Sequence, residues 1–152
     1  MADPMIELSE NGWIAEHREL YKKDPEKGHM FDTTIGGVPG KRPTLLLTTT
    51  GRKSGKESCM PLLYGKVDGG FAIIASKGGA PKHPGWYHNI QAQGEVGVQV
   101  AADIFRANTR VSTGTERTAI WDQMVAMYPP FGDYQIAAGE REIPIIVLEP
   151  IR

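Results

Sequence analysis

Residues 44–76, TLLLTTTGRKSGKESCMPLLYGKVDGGFAIIAS, decide the fold. Residues 44–50 are apolar and β-branched, which suits a buried strand. GRKSG turns the chain, and residues 57–67 read as a second strand. Pro61 inside it lacks an N–H, so it predicts a bulge or an edge position. Asp68-Gly69-Gly70 is a hairpin turn signal, and residues 71–76 form a third strand. Three consecutive strands joined by tight turns point to an antiparallel sheet, not to βαβ alternation.

Working outward, residues 95–100 (EVGVQV) and 104–111 (IFRANTRV) read as two further strands, and residues 143–150 (IPIIVLEP) as a last one. Residues 86–93 read as a short helix ended by Gly94. Thr113-Gly114-Thr115-Glu116 matches a capping box and predicts a helix with Ile120, Trp121, Met124, Val125 and Tyr128 on one face. Pro129 and Pro130 stop that helix, which leaves the aromatics of YPPFGDY in a loop. Near the N-terminus, Trp13, Ile14, His17, Leu20 and Tyr21 fall at helical spacing, and residues 33–43 (TTIGGVPGKRP) read as a loop. Six strands and three helices imply an α+β, mainly β fold: a six-stranded antiparallel barrel with helices packed outside it.

The 152 residues are 40% hydrophobic and 23% charged, which fits one globular domain and excludes a disordered chain, a collagen and a coiled coil. No apolar run approaches the roughly 18 residues of a membrane span. The first residues have neither a basic n-region nor an apolar h-region, so a cytoplasmic location is expected. A single cysteine, Cys59, excludes an internal disulfide. The net charge is -1, yet between Lys41 and Lys82 eight basic residues face only Glu57 and Asp68. A basic middle in a nearly neutral chain suits an anionic ligand, and a solvated basic face is the plainer reading. A pI near 6.4 lacks the footprint of a nucleic-acid binder.

Two stretches carry chemistry. Gly51-Arg52-Lys53-Ser54-Gly55-Lys56 differs from a phosphate-binding P-loop, because three residues separate the glycines and Glu57 follows the lysine. It remains a turn whose Arg52, Lys53, Ser54 and Lys56 can bind phosphate oxygens. SKGGAPKHPGWYHN, residues 76–89, combines a glycine pair (Gly78, Gly79), two cations (Lys77, Lys82) and an aromatic wall beginning at Trp86. Such a loop suits a planar anionic cofactor. His83 and His88 are five apart, not at the i, i+4 spacing of a helical metal pair, so no metal is expected. Neither GxSxG nor GxGxxG occurs, which argues against a nucleophile-elbow hydrolase and a Rossmann site. Tyr128, Phe131 and Tyr134, three apart, could lid a pocket and stack on a planar substrate.

TTTGRKSGKE, PLLY, ASKGGAPKHPGWYHNI, MYPPFGDYQ and IPIIVLEP, in this order, resemble the deazaflavin-dependent nitroreductase family of actinobacteria. The resemblance spans residues 44–150. It implies a split β-barrel over residues 44–152, preceded by an amphipathic helix and loop at 1–43. It also implies coenzyme F420, whose reduced form, F420H2, donates a hydride to an electron-poor planar acceptor: a quinone, an unsaturated lactone or a nitro compound. By the same resemblance Arg52, Lys53 and Ser54 form the phosphate turn, with Lys56 beside it. The deazaflavin ring rests near Pro61, Leu62, Leu63, Ile74, Ser76 and Lys77, Gly78 and Gly79 shape the loop beside it, and Trp86 lines the site. The polyglutamate tail runs over the basic stretch. Ser76, Tyr128 and Tyr134 match a serine and two of three tyrosines that frame the substrate in the nitroimidazole-activating member.

This chain departs from that member at three positions. Phe131 replaces the middle tyrosine, Ser58 stands where the phosphate turn ends in arginine, and Leu63 stands where it has tyrosine. The lost lid hydroxyl predicts weak nitroimidazole activation. Two other readings stay open: an FMN-dependent split-barrel oxidoreductase, and a non-enzymatic lipid or tetrapyrrole carrier. The anionic tail of F420 matches the basic stretch better than FMN does, and a lipid carrier needs no phosphate cradle. Expected partners are a small-molecule substrate and no nucleic acid, with peripheral membrane contact through the N-terminal helix, in a monomer or a homodimer.

Overall fold

The computed structural model describes residues 13–151. From the N-terminus, helix α1 (Trp13–Lys23) and the short α2 (Pro25–His29) lead into β1 (Met30–Asp32) and a 3-10 turn, Thr33–Gly36. Strands β2 (Lys41–Thr50), β3 (Glu57–Val67) and β4 (Gly70–Ile74) follow, then a second 3-10 turn, Lys77–Gly79, and α3 (Gly85–Ala92). Strands β5 (Glu95–Val100) and β6 (Asp103–Val111), helices α4 (Gly114–Met127) and α5 (Pro130–Ala138), and β7 (Ile145–Ile151) complete the chain.

The strands pair in the order β1-β2-β3-β4-β7-β6-β5, and β5 also pairs with β2. That last pairing, with Leu45 opposite Val100 and Thr48 opposite Gly97, closes six antiparallel strands into a barrel. Closure removes most of the open edge; the first part of β3, which pairs with β2 but not with β4, keeps one. The β3–β4 hairpin turns at Asp68-Gly69, where Gly69 takes φ 81°, as the Asp-Gly signal requires.

Alternation along the strands sorts side chains into two layers. Leu45, Leu47, Ile73, Val96, Val98, Ile146 and Leu148 fill the barrel, and Trp86, Tyr87 and Ile90 of α3 pack into the same cluster. The intervening residues Ala72, Ile74, Ile145 and Val147 face outward, where Ile120 and Met124 of α4, Tyr128 just after it, and Phe131, Tyr134 and Ala138 of α5 cover them.

Helix α1 docks on the barrel through His17 and Tyr21, both buried. The Tyr21 hydroxyl donates to the Thr44 carbonyl at 2.8 Å and accepts the Ala101 N–H at 2.7 Å, and burial pushes its pKa up to about 12. The His17 Nε2 lies 2.8 Å from the Gly28 carbonyl, so this nitrogen carries the proton and donates. Burial holds the His17 imidazole below its usual pKa. Leu20, expected on the same stripe, faces solvent instead, and the Trp13 side chain lies outside the described residues.

The structure corrects five expectations. Among the described residues there are seven strands, because residues 30–32 pair with residues 41–43 and extend β2 into the expected 33–43 loop. Among the described residues there are five α-helices, not three. The aromatics of YPPFGDY are not in a loop: Pro130 opens α5, a position where a missing N–H costs nothing. α3 ends before an extended Gln93, not at Gly94. Thr113 makes no side-chain cap at α4, and the Glu116 carboxylate, which would complete the box, instead accepts from Arg110 at 2.6 and 2.8 Å and from Ser112 at 2.6 Å. That pairing, led by the Arg110 hydrogen bonds, pulls the Glu116 pKa down to about 2.

Candidate active site

The site begins with a change of partner along β3. Residues 57–63 pair with β2, with Leu46 opposite Pro61. Residues 64–67 pair with β4. Pro61 therefore sits in a stretch not paired with β4, the edge environment that its missing N–H predicts. Between this stretch, the end of β4 and the two C-terminal helices lies a cavity of about 400 Å³, within the usual size of small-molecule sites.

Its floor is Met60, Pro61, Leu62 and Leu63 of β3 together with Ile74. Ser76, Lys77 and Gly78 form one rim, and Pro84, Gly85, Trp86 and Asn89 of the α3 start form another. The opposite wall is Tyr128, Phe131 and Tyr134. Phe131 meets Tyr128 edge-on at 5.1 Å between ring centroids and Tyr134 at 6.2 Å. These edge contacts pack the rings against one another. Arg42 fixes its base, donating to the Met127 carbonyl at the end of α4 and sitting 5.8 Å from the centre of the Tyr128 ring. One member of the basic stretch is thus committed to the helix C-terminus.

Eleven of the sequence-predicted site residues line this cavity: Pro61, Leu62, Leu63, Ile74, Ser76, Lys77, Gly78, Trp86, Tyr128, Phe131 and Tyr134. Arg52, Lys53, Ser54 and Lys56 do not line it. Arg52 borders it through hydrogen bonds to two lining residues, Asn89 Oδ1 at 3.0 Å and the Gly85 carbonyl at 3.4 Å. Lys53, Ser54 and Lys56 are exposed on the same turn. The Ser54 hydroxyl accepts the Lys56 N–H at 3.2 Å and so helps to shape that turn. Gly79 is also absent from the lining. It serves a different contact: a Cβ there would lie 2.7 Å from the Tyr134 carbonyl, so glycine lets the loop press against α5.

Sequence reasoning missed several contributors, Met60, Pro84 and Gly85 of the lining among them. Asn89, buried on α3, donates to Thr49 Oγ1 at 3.1 Å and accepts from the Arg52 backbone N–H at 3.2 Å. It ties the end of β2, the basic turn and α3 together. A polar residue among Trp86, Tyr87 and Ile90 was the available signal. Ser58 and Ile14 also line the cavity. Arg141, outside every motif, donates to the carbonyls of Ala75, Ser76 and Ala80.

The donor set fits a planar heterocycle with an anionic tail. The floor is apolar, the adjoining β3 stretch is not paired with β4, and cations gather beyond one end at Arg52, Lys53 and Lys56. The F420H(2)-dependent quinone reductase family matches residues 20–150. The chain belongs to this family. A relative from Mycobacterium tuberculosis (strain ATCC 25618 / H37Rv), named "Putative F420H(2)-dependent quinone reductase Rv3178", is 35% identical over 108 residues, 71% of this chain and 90% of that one. A solved F420-H2 dependent reductase (FDR-A) is 42% identical, with a TM-score of 0.65, covering 71% of this chain and 95% of that one. A second structure, a domain-swapped dimer, is 39% identical with a TM-score of 0.65, covering 87% and 96%. As a member of the quinone reductase family, the protein is an oxidoreductase with reduced F420 as its hydride donor, and the fold is the split barrel. Of the three readings that the sequence left open, membership selects this one. Among the described residues no helix is long and apolar enough to cross a membrane.

Proposed function

We propose that the cavity is where F420H2 and a planar, electron-poor acceptor meet, and that a quinone is the preferred acceptor. One observation carries this reading. The β3 stretch that lacks β4 pairing and the wall of Tyr128, Phe131 and Tyr134 line the same cavity, with Ser76 at its rim. Reduced F420 supplies a hydride from C5 of its deazaflavin ring. The residues of this chain bind and orient.

Arg52, Lys53, Ser54 and Lys56 would hold the phosphate, where charge-assisted hydrogen bonds contribute about 1.5–3 kcal/mol each. Pro61, Leu62, Leu63, Ile74 and Trp86 would seat the ring, with Lys77, Gly78 and Gly79 setting the loop beside it. Tyr128, Phe131 and Tyr134 exclude water and offer an apolar face to the acceptor. The hydroxyls of Ser76, Tyr128 and Tyr134 are the donors for the oxygen that gains negative charge as a quinone accepts hydride. An unsaturated lactone presents a similar carbonyl and is the second acceptor class. A nitroimidazole is disfavoured, because Phe131 contributes no hydroxyl. The N-terminal helix would rest at a membrane surface, where quinones partition, with the protein as a monomer or a homodimer.

Steady-state oxidation of F420H2, followed by absorbance with each acceptor in turn, tests the order quinone, lactone, nitroimidazole. Turnover with nitroimidazole alone would overturn it.

A further inference from the structure

We infer that Arg141 is a positioning residue that holds the turn from Ser76 to Ala80 in its cavity-facing shape, with His83 as its pH-sensitive partner. The inference rests on the reading of the cavity as the F420 site.

The turn has an unusual backbone. Lys77, Gly78 and Gly79 take φ of 47°, 62° and 81°, three successive residues in the left-handed region. Lys77 is not glycine, so this conformation needs support from outside the turn. Two hydrogen bonds are internal: Gly79 N–H to the Ser76 carbonyl at 3.0 Å and Ala80 N–H to the Lys77 carbonyl at 3.1 Å. From outside, Gly79 packs against α5, the Ala75 N–H donates to the Pro144 carbonyl at 3.0 Å, and one guanidinium supplies three further hydrogen bonds. Arg141 Nη1 donates to the Ala75 carbonyl at 3.1 Å and Nη2 to the Ser76 carbonyl at 2.7 Å, on the incoming side of the turn. Nε donates to the Ala80 carbonyl at 2.9 Å, on the outgoing side. The planar fork therefore bridges both ends, which a lysine ammonium on its flexible stem cannot reproduce.

Arg141 is itself held. Gln135 of α5 donates to the Arg141 carbonyl at 2.8 Å and accepts the Ile143 N–H at 2.9 Å. Helix α5 also carries Phe131 and Tyr134, so the aromatic wall and the Ser76 rim share one support.

The fourth contact makes the support titratable. Arg141 Nη1 lies 3.0 Å from His83 Nδ1. Arginine has no acceptor, so Nδ1 must accept and the imidazole must be neutral. Protonation turns Nδ1 into a donor and sets two cations against each other. The groups facing His83 are Arg141, the Tyr87 ring at 4.6 Å and the His88 ring at 5.9 Å. Burial first, then the charges of Arg141 and His88, hold the His83 pKa below 6.5, so the contact persists at neutral pH and fails on acidification.

The test uses the full chain and three variants: Arg141→Gln, Arg141→Lys and His83→Gln. F420 affinity is read by fluorescence titration between about pH 5 and about pH 7.5, each variant against the unmodified protein at the same pH. In parallel, NMR follows the His83 ring titration and amide exchange at residues 76–80 without cofactor. The expected result is about tenfold weaker F420 binding in both Arg141 variants, faster exchange at 76–80 and a raised His83 pKa. His83→Gln should bind normally near neutrality and escape the acid loss, since a glutamine oxygen accepts without titrating. If Arg141→Gln does not fold, the Arg141→Lys and His83→Gln data decide. Binding within twofold of the unmodified protein in the Arg141 variants, with unchanged exchange and an unchanged His83 titration, overturns the inference. So does a His83→Gln variant that loses affinity on acidification as the unmodified protein does. Failure of the unmodified protein to bind F420 at any pH would refute the cofactor reading instead, and the exchange and ring-titration data would still judge the Arg141 support.

Discussion

Strands β4 and β7 feed two apolar layers from alternate residues, and the layers differ in what these strands give to the cavity: on the outer side Ile74 lines it, while the inner layer reaches it only from β3 and α3, through Met60, Leu62 and Trp86. Ile73, Ile146 and Leu148 point into a barrel closed by the β2–β5 pairing. Ile74, one residue on, points into the outer layer, where β3 pairs with β2 and not with β4 and a cavity opens. The inner layer is filled by apolar side chains with Tyr64 and Tyr87 at its ends. The outer one ends in Ser76, Tyr128 and Tyr134 at the cavity. The same alternation thus builds a core on one face of a strand and a binding surface on the other. Substitutions in the two layers should fail differently.

The largest effect is expected inside. Ile146→Ala, at a fully buried position, should cost about 2–5 kcal/mol. A denaturant titration reads this, while the F420 affinity of the folded fraction stays unchanged. A matched loss of affinity would mean that the layers are not independent. Tyr134→Phe, in the outer layer, should reverse the pattern. Quinone turnover should fall up to about 10²-fold through loss of one donor, with a small change in melting temperature, so stopped-flow rates and a thermal scan together separate the layers. Arg52→Ala with Lys53→Ala should weaken F420 binding by about 1.5–3 kcal/mol per lost charge-assisted bond and flatten its salt dependence. Unchanged binding at low and high salt would place the phosphate elsewhere. A smaller effect is expected from Phe131→Tyr, which should raise nitroimidazole turnover by restoring a hydroxyl.

The pH dependence of stability sharpens the comparison through two histidines outside the cavity lining. His17 and His83 both have folded pKa values below 6.5, each mainly through burial. The unfolded chain therefore binds more protons than the folded one as pH falls from 6.5 through the folded values, and stability is lost over that window. His17→Gln should reduce this acid slope in urea titrations without altering F420 affinity.

Much of the site was legible because its residues cluster in local motifs. PLL in β3, the SKG of the turn, Trp86 and the three aromatics are recognisable where they stand, and the fold brings them to one cavity. The Asp68-Gly69 hairpin was equally local. The barrel was expected from its strands and hairpins, but which pair closes it was not legible, because Leu45 and Val100 carry no mark of their pairing. Strand β1 stayed hidden for the same reason: three residues acquire strand character only from Lys41–Pro43 opposite them. Helix α5 was hidden by two prolines that stop one helix and start the next. Arg141 was invisible because its role lies in carbonyls some sixty residues away along the chain.

The central claim is that the cavity beside the β3 stretch unpaired with β4 binds a deazaflavin with an anionic tail. The most direct test is fluorescence titration of the purified full chain with F420 and, separately, with FMN. The account predicts F420 binding at micromolar strength or tighter, about -8 kcal/mol, and FMN at least about tenfold weaker. Equal affinities, or a preference for FMN, would contradict it.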